Sequence, residues 1–320
     1  MKMNDLEREN WLKERKNYIG GSDVAAIMRL NDYSTAVGVY IQKTTGKIDN
    51  TINEKAKWGI VFEDLVSKMY EEETGFKVEV EQSTIYHPEH KFLAANIDRW
   101  VYDEKNNKRF ILECKTTGEF ASKKKDEDGN PIWGEEYTSH IPKAYLCQVA
   151  WYAAICDVDR VDIAVLIGGQ ELRIYTYNRD REVIDEDKMM ILAKQFWNDY
   201  VLQGIPPKCI ELADTIGLWP TSNGSKILAN DNITQKLHEL KAMKAEREQL
   251  DEAIKAKKID IMEFMRDCEF LVDNNDQIMV SWKNTKPRIS FNSKFLQKEH
   301  AGIYNQCISE VPGSRVFLIK

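Results

Sequence analysis

The stretch Ile111-Leu112-Glu113-Cys114-Lys115-Thr116-Thr117 decides how this chain is read. Successive side chains of a strand point to opposite faces. Glu113 and Lys115 therefore project together, while Leu112 and Cys114 face the other way into apolar packing. Residues 78–85 and 94–103 are also strand-like. The polar run Glu104-Lys105-Asn106-Asn107-Lys108 reads as a turn that pairs 94–103 with 110–117 as a hairpin. Asp98, within Asn96-Ile97-Asp98-Arg99-Trp100-Val101, then lies on the strand beside Glu113. An acid and a base on one face of an otherwise buried strand cost desolvation energy, which a bound cation offsets. An exposed edge strand with a solvated Glu–Lys pair carries the same pattern, so the E-x-K spacing alone does not choose.

Around this hairpin the apolar periodicity is helical. Residues 6–17 read as a short charged helix, followed by the turn Ile19-Gly20-Gly21-Ser22. A helix follows over 23–28 with Ser22 as its N-cap. Residues 35–45 and 54–74 read as helices, the second with Trp58, Val61, Phe62, Leu65, Val66 and Met69 on its repeat and Gly75 at its end. Residues 121–136 read as a polar loop, Pro142 opens a helix that runs through Ile155, and 161–168 with 171–178 form a second hairpin. A further amphipathic helix covers 182–203. The expected fold class is mixed α/β: a central mixed sheet flanked by helices, with a C-terminal α+β appendage.

Three segments follow from composition: a core over 1–210, a linker over 211–229 with Pro220, Ser222, Gly224 and Ser225, and an accessory module over 230–320. In the last, 232–266 is a long helical stretch carrying Ile233, Leu237, Leu240, Met243, Leu250, Ile254, Ile261 and Phe264. Its apolar repeat is interrupted around Arg247, which argues against a long coiled coil. Strands are expected over 269–272, 278–282 and 316–319.

The chain has 320 residues, 42% hydrophobic and 30% charged, enough for one large domain or two smaller ones. Its six cysteines show no C-x-x-C pair and no zinc or iron–sulfur spacing, as expected of reduced thiols. The net charge of −7 argues mildly against a nucleic-acid binder but leaves room for a local basic groove. No run of 18 apolar residues spans a membrane, and the charged start MKMNDLERENWLKERK lacks the apolar stretch of a secretory signal. A cytoplasmic protein is the expectation.

Two carboxylates and a backbone carbonyl suit a hard cation such as Mg²⁺, which keeps waters and meets phosphate directly. Asp98, Glu113 and the Cys114 carbonyl supply that set, and Lys115 stands ready to stabilise an attacking hydroxide or a crowded phosphorane. The ordered pieces resemble the PD-(D/E)xK nuclease superfamily, and within it the YqaJ viral recombinase family of lambda-exonuclease-like enzymes. The resemblance rests on Arg15, then Ile19-Gly20-Gly21-Ser22-Asp23, Trp58-Gly59 with Phe62-Glu63, Asp98, Glu113-Cys114-Lys115, and the helix Tyr145-Leu146-Cys147-Gln148-Val149-Ala150-Trp151-Tyr152.

The resemblance implies a Mg²⁺-dependent DNA exonuclease, with Mn²⁺ a substitute and one or two ions per site. It implies 5′→3′ processive resection of linear duplex ends in phage-type recombination, in a bacterial, prophage or phage context. Asp98, Glu113 and Lys115 match the catalytic set. Glu63 matches an acid that holds metal or its waters, and Gln148 a glutamine that orients water or phosphate. Arg15 and Ser22 match phosphate-gripping residues. Basic residues soon after the catalytic lysine are replaced here by Thr116, Thr117, Gly118 and Glu119, so Lys123, Lys124 and Lys125 take that expectation. The implied partners are double-stranded DNA ends, a RecT-type single-strand annealing protein and further copies of the chain, as in a ring-like trimer. An endonuclease of the same superfamily and an inactive DNA-binding module are the alternatives.

Overall fold

The computed structural model describes residues 13–45, 54–179, 184–311 and 313–319. It divides into two units, Met1–Trp219 and Pro220–Lys320.

Unit one is built on a five-stranded sheet of order β1-β4-β5-β6-β7, from β1 (Lys77–Val80), β4 (Arg99–Asp103), β5 (Lys108–Thr117), β6 (Arg160–Ile167) and β7 (Glu171–Asn178). β1, β4 and β5 are antiparallel neighbours, β5 and β6 run parallel, and β6 and β7 form a hairpin. A parallel pair needs a crossover, and α5 (Lys143–Cys156) lies in it. Further helices of this unit are α1 (Gly21–Ile27), α2 (Ala36–Thr45), α3 (Glu54–Thr74), α4 (Glu119–Ser122), α6 (Glu186–Phe196), which a π-helical turn Trp197–Val201 continues, and α7 (Leu212–Leu218). A small ladder pairs β2 (Ile85–Tyr86) with β3 (Ala94–Ala95). The fold class read from the sequence is the one the chain adopts, a mixed sheet flanked by helices.

Strand alternation splits the core in two. Ile111, Ile163, Val165, Tyr175 and Tyr177 face one way and pack with α1, α5 and α6. Phe110, Leu112, Ala164, Leu166 and Ile174 face the other way and pack with Val66 and Tyr70 of α3. The fully buried Asp162 secures that second layer, accepting from Tyr70 OH at 2.5 Å, Thr176 Oγ1 at 2.9 Å and the Arg160 guanidinium at 2.7 and 2.6 Å. A buried carboxylate is tolerable because its lone pairs are met in this way.

Several sequence expectations change. The continuous strand expected over 94–103 is broken between Ala95 and Arg99, and that over 78–85 between Val80 and Ile85. Ser22 does not cap its helix. Asp23 Oδ2 accepts from Gly20 N–H at 2.9 Å, and α1 starts two residues earlier than expected with Gly20 as the cap. The helix over 6–17 falls largely outside the described residues, although 13–15 are helical; the start of the helix expected at 182–203 does too. The stretch 211–229 is not all linker. It contains α7, whose buried Asp214 accepts from Thr35 Oγ1 at 2.5 Å and so ties it to the start of α2.

Unit two contains the 35-residue α8 (Asp231–Met265), the hairpin β8 (Phe270–Val272) and β9 (Ile278–Ser281), and the short helices α9 (Ser293–Glu299) and α10 (Ala301–Cys307). Residues 316–319 form no strand: Val316, Phe317 and Leu318 are exposed and have no ladder to join. Among the described residues, no helix is long and apolar enough to cross a membrane.

Candidate active site

β4 begins only at Arg99, opposite Leu112, whereas β5 continues to Thr117. Beyond Leu112 β5 is paired only with β6. Asp98 occupies the place the missing strand leaves: its Oδ2 accepts the Cys114 N–H at 2.7 Å. A side-chain carboxylate thus replaces a ladder carbonyl, and this is why the strand breaks at Asp98. In extended backbone the N–H and C=O of one residue project to the same edge. The Cys114 carbonyl therefore faces the same open edge, while its side chain packs in the layer under α3.

Glu113 and Lys115 share the opposite face, as the period of two requires. Lys115 Nζ donates to Glu113 Oε1 at 2.5 Å and stands 5.0 Å from the Tyr145 ring centroid. From α5, Gln148 Nε2 donates to the same Glu113 oxygen at 2.8 Å and to Tyr152 OH at 2.7 Å. Glu113 is 3% exposed, and its Oε2 is buried with no hydrogen-bond partner among the described residues. Burial, reinforced by the Glu113 charge, pushes the Asp98 carboxyl up to about 7. Burial alone would lower the Lys115 ammonium, but Glu113 and Asp98 outweigh it and hold it above its usual range. A cavity of about 500 Å³ opens on Asp98, Glu113, Cys114, Lys115, Glu63 and Arg15.

This arrangement fits a hard cation. Two carboxylates converge, one oxygen lacks a donor, and burial disfavours the charge on Asp98 unless positive charge arrives. Among the described residues no cluster of three His, Cys, Asp or Glu side chains is placed to hold a metal. The fitting set is Asp98, Glu113 and the Cys114 carbonyl, with open positions left for water, as Mg²⁺ prefers. Glu63 lines the cavity, and burial and then Asp98 raise its carboxyl. Its Oε1, however, is taken by Arg99 at 2.6 Å.

Arg99 is the residue the motif reading missed. It is buried and binds Glu63, Asp64 Oδ1 at 2.6 Å and the Asp98 carbonyl at 2.7 Å, locking α3 to the start of β4. Arg15 also lines the cavity, donating to Ser22 Oγ at 3.0 Å and lying 3.7 Å from Asp23 Oδ1. Beneath it runs a second unforeseen pair: Lys43 Nζ donates to Asp23 Oδ2 and to the Arg15 carbonyl, both at 2.7 Å. Lys123 and Lys124 are not brought to the cavity. Lys123 pairs with Glu119 at 2.6 Å on the surface, and Lys124 is exposed.

The same ordered residues tie this chain to known proteins. Residues 10–159 match the YqaJ-like viral recombinase domain. The chain is 36% identical over 210 residues to the uncharacterized protein YqaJ of Bacillus subtilis (strain 168), covering 64% of this chain and 60% of that protein. The match thus spans less than two thirds of the curated relative. Among solved structures, similarity is found to an alkaline exonuclease (LHK-Exo) from Laribacter hongkongensis, at 19% identity and a TM-score of 0.46, over 61% of this chain and 93% of that one. A phage-related exonuclease from Haemophilus somnus 129PT aligns at 15% identity and a TM-score of 0.38, over 58% and 96%.

The matched region depends on a close approach of α1 to α5. A Cβ at Gly21 would sit 3.0 Å from both Gln148 Cγ and Tyr152 Cε1, and 3.2 Å from the Gln148 carbonyl. Gly21→Ala is therefore expected to lower stability by about 1–3 kcal/mol through overpacking, as measured by urea unfolding. A smaller change than about 0.5 kcal/mol, within the range of ordinary surface substitutions, would show that the two helices separate freely.

Proposed function

We propose that this chain is a metal-dependent deoxyribonuclease that hydrolyses phosphodiester bonds from the ends of linear double-stranded DNA. The observation that carries the reading is the unpartnered, buried Glu113 Oε2 beside an Asp98 carboxyl pushed up to about 7. Asp98, Glu113 and the Cys114 carbonyl would hold Mg²⁺, with Mn²⁺ as a substitute. When bound, the ion polarises a phosphate oxygen and acidifies water.

The chain's own residues do the rest. Lys115, held protonated, places its ammonium where charge grows on the phosphate and the incoming hydroxide. Gln148 fixes the Glu113 carboxylate through Oε1, and Tyr152 in turn holds the glutamine amide. Arg99 keeps Glu63 and Asp64 from swinging freely beside Asp98. Arg15 at the cavity wall, with Ser22 hydrogen-bonded to it, offers donors to a terminal phosphate. The 5′→3′ direction, processivity, action in phage-type recombination and cooperation with a RecT-type annealing protein belong to the same reading.

The test is end-labelled linear duplex DNA with Mg²⁺, beside covalently closed plasmid. We expect linear DNA to be degraded, EDTA to stop it, excess Mg²⁺ to restore it, and closed plasmid to survive. Cleavage of closed plasmid makes the protein an endonuclease. DNA binding without hydrolysis under any divalent metal makes it a binding module and overturns the proposal.

A further inference from the structure

Lys115 stands at the cavity wall with its side chain 19% exposed. One of its ammonium donors goes to Glu113 Oε1 at 2.5 Å. That carboxylate is the one the proposed function gives to a metal ion. A cation bound there draws on the same negative charge and repels the ammonium. The lysine stem is long and flexible, so the charge at its tip stays in place only if a second group holds it.

The second group is an aromatic face. Lys115 Nζ lies over the Tyr145 ring, 5.0 Å from its centroid, within the ~6 Å at which a ring attracts an ammonium. Tyr145 sits in the first turn of α5, three residues before Gln148 and on the same side of the helix. One helix thus brings a ring to Lys115 and an amide to Glu113. The ring is itself supported. Its centroid lies 5.8 Å from that of Trp133, and Trp133 lies 5.2 Å from Tyr175 of β7. Trp133 and Tyr175 are buried. The loop that delivers Trp133 is tightly closed: Gly134 N–H donates to the His140 carbonyl at 2.8 Å, and a Cβ at Gly134 would lie 2.5 Å from His140 Cγ. Aromatic rings therefore run in series from the sheet to the ammonium.

We infer that Tyr145 is a positioning residue for Lys115, its π face holding the ammonium at the cavity wall independently of Glu113. The contact stands on geometry; its consequence for turnover rests on the nuclease reading. A ring suits this task better than a third carboxylate would. Its face attracts a cation, yet it offers a hard metal ion none of the oxygen ligands that ion requires. It also accepts no proton from the lysine, whose remaining donors stay available to a phosphate. Tyr145 is not among the residues that line the cavity, so its effect passes through Lys115.

The test weakens the ring face while nearly keeping its size. In the full chain, position 145 is filled with phenylalanine carrying no, one, two or three ring fluorines. Fluorine withdraws electron density from the face, so the attraction of a cation falls stepwise while packing is kept. With Mg²⁺ and linear duplex DNA, Tyr145→Phe should restore cleavage to within about twofold of wild type, whereas Tyr145→Leu should lose about tenfold in single-turnover rate. Each added fluorine should lower the rate further, with Mg²⁺ affinity by calorimetry held within about twofold. A rate that is flat across the fluorine series, or a Tyr145→Leu variant as fast as wild type, would overturn the inference. A second readout needs neither DNA nor metal. With ¹³C at lysine Cε, the Lys115 resonance is assigned by its absence from Lys115→Arg. Its methylene protons should be shifted upfield by the ring in wild type and Tyr145→Phe, and should return to the ordinary lysine range in Tyr145→Leu. An unshifted Lys115 resonance in the wild type overturns the contact whether or not DNA is cut. A shifted resonance in a protein that cuts no DNA under any divalent metal upholds the contact and counts against the nuclease reading alone.

Discussion

Lys115→Ala is expected to lower the rate of DNA hydrolysis by about 10²- to 10³-fold, the loss typical when one preorganised charge-stabilising donor is removed. The ammonium is held by Glu113 at 2.5 Å and has no reason to leave its cation state, since both nearby carboxylates favour it. Its removal also takes a positive charge from beside the proposed metal ligands. Mg²⁺ affinity should therefore stay the same or rise while turnover falls. A merely structural lysine would lower both, because its loss would disorder Glu113. Single-turnover cleavage and Mg²⁺ titration by calorimetry, run on the same preparations, separate the two. Turnover within about threefold of wild type, little more than a 0.6 kcal/mol change in barrier, would remove Lys115 from the chemistry.

Lys43→Ala is expected to cost about 3 kcal/mol of folding stability, because it leaves a buried carboxylate without its closest cation, only Arg15 remaining at 3.7 Å. The Lys43 and Asp23 side chains are only 1% and 5% exposed. The double change of Lys43→Met with Asp23→Asn should recover more than half of that loss, since removing both charges of a buried pair is far milder than removing one. The pH dependence has a definite sign. Burial raises the Asp23 carboxyl, but Lys43 and then Arg15 outweigh it and hold it below its usual value of 3.8. Its contribution is thus present above that range and is lost as the pH falls through the lower, folded value. In strong acid the carboxyl of the variant is neutral and needs no partner, so the gap between wild type and Lys43→Ala should narrow. Chemical denaturation at neutral and acidic pH measures it; a gap that widens in acid would assign the effect to lost packing.

Much of the fold was legible because alternation and helical periodicity are local. Glu113 and Lys115 fall on one face by a period of two, and Gln148 and Tyr152 on one face of α5 by a spacing of four. The break at Asp98 was not legible: nothing in the apolar pattern of 94–103 says that a side chain will take over a ladder bond. Arg99 and Lys43 were missed because their partners lie 36 and 20 residues away. A signal for Arg99 did exist. An arginine inside a strand as apolar as β4 must find carboxylates, and Glu63-Asp64 on the preceding helix were the candidates in sight. Lys123 and Lys124 were legible only as charge, and charge alone did not say that their loop stays away from the cavity.

The late start of β4 gives position 114 a divided character. Its side chain belongs to the packing beneath α3, and its peptide group belongs to the site. The two demands act on different atoms, so any small apolar residue that fills the packing niche leaves the peptide's contribution intact. Scanning mutagenesis, which exchanges side chains, would score residue 114 as ordinary interior filling. Only chemistry on the main chain itself, such as replacing the amide at 114 by an ester, reaches what this position gives to the site.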